Sequence, residues 1–178
     1  IAVHLSCGER LLVGMVDSPA APALFGTASL HAEQPIGRIA TSGWRGRSFS
    51  FGIADAVTVL ADRASTADAA ATVIANAVDL PDHPNIVRAP ASSIAPDSDL
   101  RNHLVTQHVG ELTSEEINRA LETGVAIAEQ LGSEGLVHAV ALHLRGETRI
   151  VGSHFETLAE PTSIYLDGRN DSRRPIHA

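Results

Sequence analysis

The sequence predicts an α+β fold, with a mixed or antiparallel sheet and two main helices. Short apolar segments of strand length outnumber the helical segments, and the two kinds do not alternate regularly as they would in a doubly wound fold. The 178 residues are 44% hydrophobic, which is enough for one core but leaves little chain for a second. We therefore expect one domain over residues 1–153 and a C-terminal tail at residues 154–178.

The predicted strands begin with a hairpin at the start of the chain. Two apolar runs, residues 1–6 and 10–16, are separated by SCGE, which has the composition of a turn. Residues 136–144 and 148–151, on either side of a turn at Gly146, predict a final hairpin. Between these hairpins, short apolar runs bounded by turn and loop residues predict strands at residues 24–32, 36–40, 57–60, 86–89 and 103–109.

The first predicted helix covers residues 65–78. This segment is dominated by Ala, the residue with the highest helix propensity. Ser65 or Thr66 is the expected N-cap, and Asp68 is expected in the first turn, where a carboxylate complements the helix dipole. Because Ala side chains are small, we expect this helix to pack flat against a sheet.

A second helix is predicted to begin at Thr113. Thr113 and Glu116 have the S/T-x-x-E spacing of a capping box. Apolar residues then recur at helical spacing to about residue 131. Gly132 is expected to end this helix.

The charged residues exclude several function classes. The chain has 13 basic and 21 acidic residues and a net charge of −8. All of the basic residues are Arg, so a Walker lysine and a lysine Schiff base are both excluded. Broad nucleic-acid binding needs a basic face, so the acidic balance argues against a nucleic-acid partner.

The apolar runs and the single cysteine predict a cytoplasmic protein. No apolar run approaches the length of a membrane span, which argues against a membrane protein. Cys7 is the only cysteine, so it cannot form an internal disulfide, and a free thiol fits a reducing compartment. Cys7 with His4 as its base would make a cysteine-dependent hydrolase. A small buried thiol is the simpler interpretation, because residues three apart in a strand lie on opposite faces.

The chain begins at Ile1, directly inside an apolar run. We therefore expect that an N-terminal segment is missing and that the first hairpin completes a sheet begun elsewhere. An unpaired sheet edge favours association. A companion N-terminal chain or fragment, or a homo-oligomer, is the expected partner.

The first candidate site is the segment SGWRGRSF at residues 42–49. Gly43 permits a close approach of backbone N–H groups to a ligand, and Arg45 and Arg47 are suited to bidentate binding of phosphate or carboxylate. Trp44, the only Trp, is suited to stacking on a planar ring. The alternative is an exposed loop whose Arg residues pair with the abundant acids of the chain.

The second candidate site is the pair Asp68 and Thr72 in ADAAAT. Residues four apart on a helix project from one face, and their oxygens are the ligands that Mg²⁺ prefers. The alternative is local: Asp68 complements the helix dipole, and Thr72 donates a hydrogen bond to a carbonyl one turn earlier.

A family resemblance rests on IATSGWRGRSFSFGIADAVTVLA, followed by STADAAATVIANAV. These residues resemble an uncharacterised prokaryotic family related to the ApbE flavin transferases, and the resemblance covers the chain from its start to about residue 151. ApbE-like proteins move an FMN group from FAD onto a threonine of a partner protein, using Mg²⁺. Their A-D-x-x-x-T magnesium motif matches Ala67, Asp68 and Thr72. Their TSG pattern matches the residues from Thr41 to Gly43, with Ser42 in the middle.

The resemblance implies an ApbE-like fold of which this chain is the C-terminal part. It further implies Mg²⁺ at Asp68 and Thr72, with FAD, FMN or a related nucleotide near residues 42–47. The implied activity is a Mg²⁺-dependent flavin transferase or pyrophosphate-cleaving enzyme, with no catalytic residue assigned. SFSFGIAD occupies the place of the H-x-x-D-P-x-T-G segment of ApbE enzymes. This difference favours the alternative, a non-catalytic ligand-binding or assembly module of the same fold.

Overall fold

The computed structural model describes residues 8–17, 23–31 and 36–163. These residues form nine strands and three helices, and all of their strand pairs are antiparallel. The predicted α+β class is therefore confirmed. The strands are β1 (Arg10–Val16), β2 (Ala23–His31), β3 (Arg38–Ser42), β4 (Ala56–Ala61), β5 (Ile86–Pro90), β6 (Leu104–Val109), β7 (Ala139–Leu144), β8 (Glu147–Gly152) and β9 (Phe155–Ser163), and the helices are α1 (Ala64–Ala77), α2 (Ala91–Ile94) and α3 (Ser114–Ser133).

A four-stranded sheet, in the order β3-β4-β7-β8, forms the centre of the fold. Strands β4 and β7 are buried along their whole length, which explains their continuous apolar sequences. On one face, α1 and α3 pack through Ile74 and Leu121 against Val57 and Leu142 of these strands. The Ala-rich helix therefore packs on a sheet, as its sequence predicts.

A three-stranded sheet, in the order β1-β2-β9, packs on the other face of the central sheet. Leu30 of β2 shares a core cluster with Ile39 of β3 and Leu60 of β4. Met15 and Phe25 form a neighbouring cluster with Ala56. Successive residues of β4 thus face the helices and the second sheet in turn, because strand side chains alternate between faces. The two-stranded ribbon β5-β6 forms a third, separate sheet.

Helix α1 begins one residue earlier than its sequence predicts. Its N-cap is Arg63, which makes no side-chain capping bond, and the first turn contains no acidic residue. The prediction of Ser65 or Thr66 as N-cap, with Asp68 in the first turn, is wrong. The chain turns into the helix directly after β4, and the N–H of Ala67 already donates to the carbonyl of Arg63 at 2.9 Å.

Helix α3 confirms the predicted capping box. The N–H of Glu116 donates to Oγ1 of Thr113 at 3.3 Å, and the N–H of Thr113 donates to Oε2 of Glu116 at 2.8 Å. The helix passes through Gly132 and ends at Ser133, so the prediction that Gly132 ends it is wrong. The left-handed residue that follows the helix is Gly135, with φ of +71°.

Most predicted strands appear within one or two residues of their expected positions. The final hairpin is confirmed as β7 and β8, joined at Arg145 and Gly146, which both have positive φ. The strand predicted at 36–40 is displaced to β3. In the predicted first hairpin, residues 1–6 lie outside the described residues, and β1 pairs with β2.

The structure has a strand in the region assigned to the tail. Strand β9 pairs with β2, from Ala23 opposite Ser163 to Ala28 opposite Phe155. Residues 164–178 lie outside the described residues, and the domain boundary at residue 153 stays a prediction. Among the described helices, none is long and apolar enough to cross a membrane.

Candidate functional site

A cavity of about 400 Å³ lies beside β3, the edge strand of the central sheet. This volume falls within the range of small-molecule sites. The layers on both faces of the sheet contribute to its wall, since β1 belongs to one layer and α1 to the other. The residues that line it are Val13, Gly14, Met15, Val16, Asp17, Ile39, Thr41, Ser42, Gly43, Gly46, Arg47, Ser48, Asp55, Ala56, Thr58, Asp68 and Thr72.

This cavity brings together residues from both candidate sites of the sequence. Ser42 ends β3 and Gly43 and Arg47 follow it, whereas Asp68 and Thr72 lie on α1. Helix α1 packs against β3 and β4, so it lies beside the end of β3 although more than 20 residues separate the two along the chain. Trp44 and Arg45 are not among the residues that line the cavity.

The metal-ligand pair adopts the arrangement expected of residues four apart on a helix. Asp68 and Thr72 are both exposed at the cavity. The hydroxyl of Thr72 donates to the main-chain oxygen of Asp68 at 3.0 Å, which is the local hydrogen bond that the sequence offers as the alternative role. This bond uses the hydroxyl proton and leaves oxygen lone pairs for a cation.

A cation at this position would need ligands beyond the protein. Within the described ranges, no group of three or more His, Cys, Asp and Glu side chains is placed to hold a metal ion. Mg²⁺ commonly binds through one or two carboxylates and completes its shell with water and substrate phosphates. Asp68 and Thr72 therefore fit a cation that arrives with a phosphorylated ligand better than one held by the protein alone.

Asp55 is a buried residue of the site that sequence reasoning missed. It lines the cavity, yet its side chain is only 2% exposed. Its Oδ1 atom accepts a hydrogen bond of 3.0 Å from Nε1 of Trp44 and lies 2.7 Å from Nε of Arg45. Its Oδ2 atom accepts from the main-chain N–H of Arg145 at 2.6 Å. The available signal was a single acid inside the apolar run GIADAVTVLA.

Trp44 is held by its neighbours and lies outside the cavity lining. The Arg45 guanidinium lies 5.3 Å from the centre of the indole ring, in cation–π contact. The ring of His108 approaches the indole edge-on, with 6.5 Å between ring centres. Together with its bond to Asp55, these contacts give the indole a structural role in this conformation.

Arg47 differs from Arg45 in both position and partners. Arg47 lines the cavity and is exposed. Among the residues that the structure describes, its guanidinium has no hydrogen bond or ion pair. A free guanidinium beside a cavity is suited to bidentate binding of phosphate or carboxylate.

His143 of β7 lies opposite Ala56, a cavity-lining residue of β4, and is buried. Its ring stacks on Phe25 with 4.1 Å between centres, and its Nδ1 lies 2.8 Å from Oγ1 of Thr148. Burial lowers the pKa of His143 below 6.5, although the nearby charges of Asp55 and Asp17 act in the opposite direction. The neutral imidazole is therefore favoured at neutral pH.

Cys7 and His4, the candidates for thiol chemistry, lie outside the described residues. Their pairing stays a prediction.

A family model described as AbpE bacteria matches residues 1–150 of the chain. The protein belongs to this family. Two UPF0280 proteins are similar to part of this AbpE-family protein, one from Methanothermobacter thermautotrophicus at 43% identity over 82 residues and one from Methanopyrus kandleri at 45% over 74 residues. The matches cover 43% and 42% of the chain but only 31% and 30% of the relatives' own lengths. The expected uncharacterised prokaryotic family is thus confirmed, while the relation to ApbE transferases stays a prediction.

The cavity of this AbpE-family protein has two chemically different walls. Strand β1 contributes apolar side chains, namely Val13, Met15 and Val16. The other lining residues are mainly polar, and the charged side chains around the cavity are Arg47 and three aspartates, Asp17, Asp55 and Asp68. Such a cavity is suited to a ligand with one apolar part and one anionic part, the latter able to use both the arginine and a bridging cation.

Proposed function

We propose that this AbpE-family protein binds a flavin nucleotide, FMN or FAD, together with Mg²⁺ in the cavity beside β3. The observation that carries the proposal is the presence of Arg47, Asp68 and Thr72 in one cavity of about 400 Å³. Within the described residues, the side chains of Arg47 and Asp68 have no ion-pair partner, so both are available to a ligand.

The phosphate end of the ligand is assigned to the polar wall. Arg47 offers a guanidinium fork, and the hydroxyl groups of Ser42 and Ser48 offer further hydrogen bonds at the same wall. Gly46, which is exposed at the cavity, leaves the backbone of this segment open to close approach. The planar ring system is assigned to the apolar side chains of β1, since burial of a flat aromatic surface favours binding.

The residues present fit Mg²⁺ as a cation shared between protein and ligand. Asp68 supplies a carboxylate and Thr72 a hydroxyl oxygen, one helical turn apart. When bound, Mg²⁺ would neutralise charge on the phosphate oxygens. Asp68 would orient the cation toward Arg47, so that the phosphate is held from two sides.

Equilibrium dialysis with FMN and FAD, in Mg²⁺ and in EDTA, tests this proposal. We expect the wild-type protein to bind at least one of the two more tightly in Mg²⁺. Asp68→Asn should remove the Mg²⁺ dependence, because it removes the charge of the only carboxylate on α1. Asp99→Asn is the matched control, as Asp99 is exposed and does not line the cavity. Absence of flavin nucleotide binding, or binding by Asp68→Asn equal to wild type, would overturn the proposal.

The segment SFSFGIAD, which stands in place of the H-x-x-D-P-x-T-G segment of ApbE enzymes, supports the alternative of a non-catalytic role. Asn76 of α1 accepts hydrogen bonds from Oγ of Ser50 at 3.1 Å and from the N–H of Phe51 at 3.0 Å. Arg88 donates to the main-chain oxygen of Phe51 at 2.7 Å. These groups fasten the segment to the fold, and no described histidine lines the cavity.

The alternative, a transferase or pyrophosphate-cleaving enzyme, makes a different prediction. Water as acceptor would convert FAD to FMN and AMP. Chromatography of FAD incubated with the protein and Mg²⁺ distinguishes the two. Stable FAD supports a binding module, whereas release of AMP at a rate lowered by Asp68→Asn supports an enzyme.

A further inference from the structure

The carboxylate of Asp55 joins three parts of the chain next to the cavity. It accepts a hydrogen bond from the Trp44 indole, pairs with Nε of Arg45, and accepts from the main-chain N–H of Arg145 in the turn between β7 and β8. The side chain of Asp55 is 2% exposed, so these groups replace water in stabilising its charge. Loss of these three partners would leave the buried charge of Asp55 without compensation.

This arrangement separates the roles of two arginines that look equivalent in the sequence. Arg45 is directed to Asp55 and packs over the Trp44 ring. Arg47, two residues later, lines the cavity. The contacts of Asp55 with Trp44 and Arg45 therefore fix the segment on which Arg47 is carried.

A close backbone contact fixes the same segment at its start. The N–H of Trp44 donates to the carbonyl of Ala54 at 3.0 Å, and a Cβ on Gly43 would lie 2.4 Å from the main-chain oxygen of Asp55. The segment is thus attached to the chain just before β4 through both backbone and side chain. Arg47, which follows this attached part of the segment, is exposed at the cavity.

We infer that Asp55 is a positioning residue, which holds Trp44 and Arg45 in place and thereby directs Arg47 into the cavity. The ligand that Arg47 meets is taken from the proposed function, so the inference rests on that proposal for its effect on binding. We call the contacts of Asp55 with Trp44 and Arg45 the clamp. The clamp is present in the protein without ligand, so it can be measured separately from ligand binding.

That readout is the fluorescence of Trp44, the only Trp in the chain. Asp55→Asn removes the charge but keeps an oxygen that can accept from one donor. We expect its Trp44 emission to move to longer wavelength and its quenching by acrylamide to increase, because the indole gains access to water. Affinity for FMN in Mg²⁺ should fall about tenfold, as expected when a charge-assisted bond that fixes a binding group is removed.

Two further variants make the test specific. Arg47→Gln should weaken FMN binding but leave the emission of the free protein unchanged, since Arg47 does not contact Trp44 in the clamp. Asp99→Asn is again the matched control, because Asp99 is exposed and does not line the cavity. It should change neither property.

The outcomes separate the two proposals. Unchanged Trp44 emission in both Asp55→Asn and Arg45→Gln overturns the clamp, and altered emission with unchanged FMN affinity overturns its role in binding. If Asp55→Asn does not fold, as judged by circular dichroism, Arg45→Gln tests the same clamp by removing both the ion pair with Asp55 and the contact of the guanidinium with the Trp44 ring, with the same two expectations. If the wild type binds no flavin nucleotide, the proposed function fails, while the emission change still decides whether Asp55 positions the segment.

Discussion

Gly43 and Asp55 are in direct backbone contact where the chain passes from β3 toward β4. A Cβ atom on Gly43 would lie 2.4 Å from the main-chain oxygen of Asp55 and 2.9 Å from that of Ala54. Real Cβ atoms do not approach a carbonyl oxygen so closely. The main chain of Ala54 and Asp55, just before the buried strand β4, cannot easily move to relieve such a contact. The cavity therefore depends on a glycine for its wall as well as on the charged residues around it.

Gly43→Ala should lower the free energy of unfolding by about 1–3 kcal/mol, the usual cost of forcing an extra methyl group into a packed site. Chemical denaturation of the variant checks this prediction. Gly37→Ala is the matched control, because Gly37 lies outside the helices and its added Cβ would meet nothing within 4 Å among the described atoms. Equal stability of Gly43→Ala and wild type would contradict the close contact.

Asn76→Ala should destabilise the protein through the loss of one acceptor. Oδ1 of Asn76 accepts from both Ser50 and Phe51, and Ser50 is buried. Removing the acceptor leaves these donors unsatisfied, at a cost of about 1–3 kcal/mol each in a buried setting. Asn76→Asp keeps an acceptor oxygen and should lose less stability. Denaturant midpoints of the two variants provide the comparison, and an equal loss in both would argue against the acceptor role.

His143 should make stability depend on pH below 6.5. Because burial lowers the pKa of His143 in the folded protein, the unfolded chain takes up the proton first as pH falls. Stability is then lost as pH falls from about 6.5 toward the folded pKa. His143→Asn, which retains a polar group near Thr148, should show a smaller loss of Tm between pH 7 and 5. An identical pH profile in wild type and variant would contradict this assignment.

Glu116 should contribute a second, more acidic dependence. Hydrogen bonds from the backbone of Thr113 and from the side chains of His83 and Thr113 lower the pKa of Glu116 from 4.5 to about 2. Its contribution is present above pH 4.5 and is lost as pH falls from 4.5 toward 2. Glu116→Gln should flatten the acid-unfolding profile in this window. Asn118 is unsuitable as a control position, because it accepts a hydrogen bond from Arg149. Glu122→Gln is the matched control, since Glu122 is exposed on the same helix. If Glu122→Gln flattens the profile as much as Glu116→Gln does, the role of Glu116 is contradicted.

Much of the fold is predictable from the sequence because its signals are local. The Ala-rich run predicts α1, and the Thr113–Glu116 spacing predicts the start of α3 through hydrogen bonds within one turn. The final hairpin follows from two apolar runs around Gly146. Two helix ends were less predictable. Helix α1 begins after Arg63, which makes no side-chain capping bond, and α3 continues through Gly132 to Ser133.

The site was only partly predictable, for a related reason. The pattern of Asp68 and Thr72 is local to one helix, and the glycines and arginines of residues 42–49 are local to one loop. That Arg45 pairs with Asp55 while Arg47 lines the cavity depends on the pairing of β3 with β4 and on the turn at Arg145. No pattern within the loop distinguishes the two arginines. The companion chain, the homo-oligomer and the cytoplasmic location stay predictions.

The location of the bound ligand and cation can be determined directly. We would determine a crystal structure of the protein with FMN and Mn²⁺ in place of Mg²⁺, so that anomalous scattering locates the cation. We expect a Mn²⁺ peak beside Asp68 and Thr72, with the phosphate between this cation and Arg47 and the flavin ring against β1. Ordered flavin bound away from this cavity, or a cation that contacts neither Asp68 nor the phosphate, would contradict it.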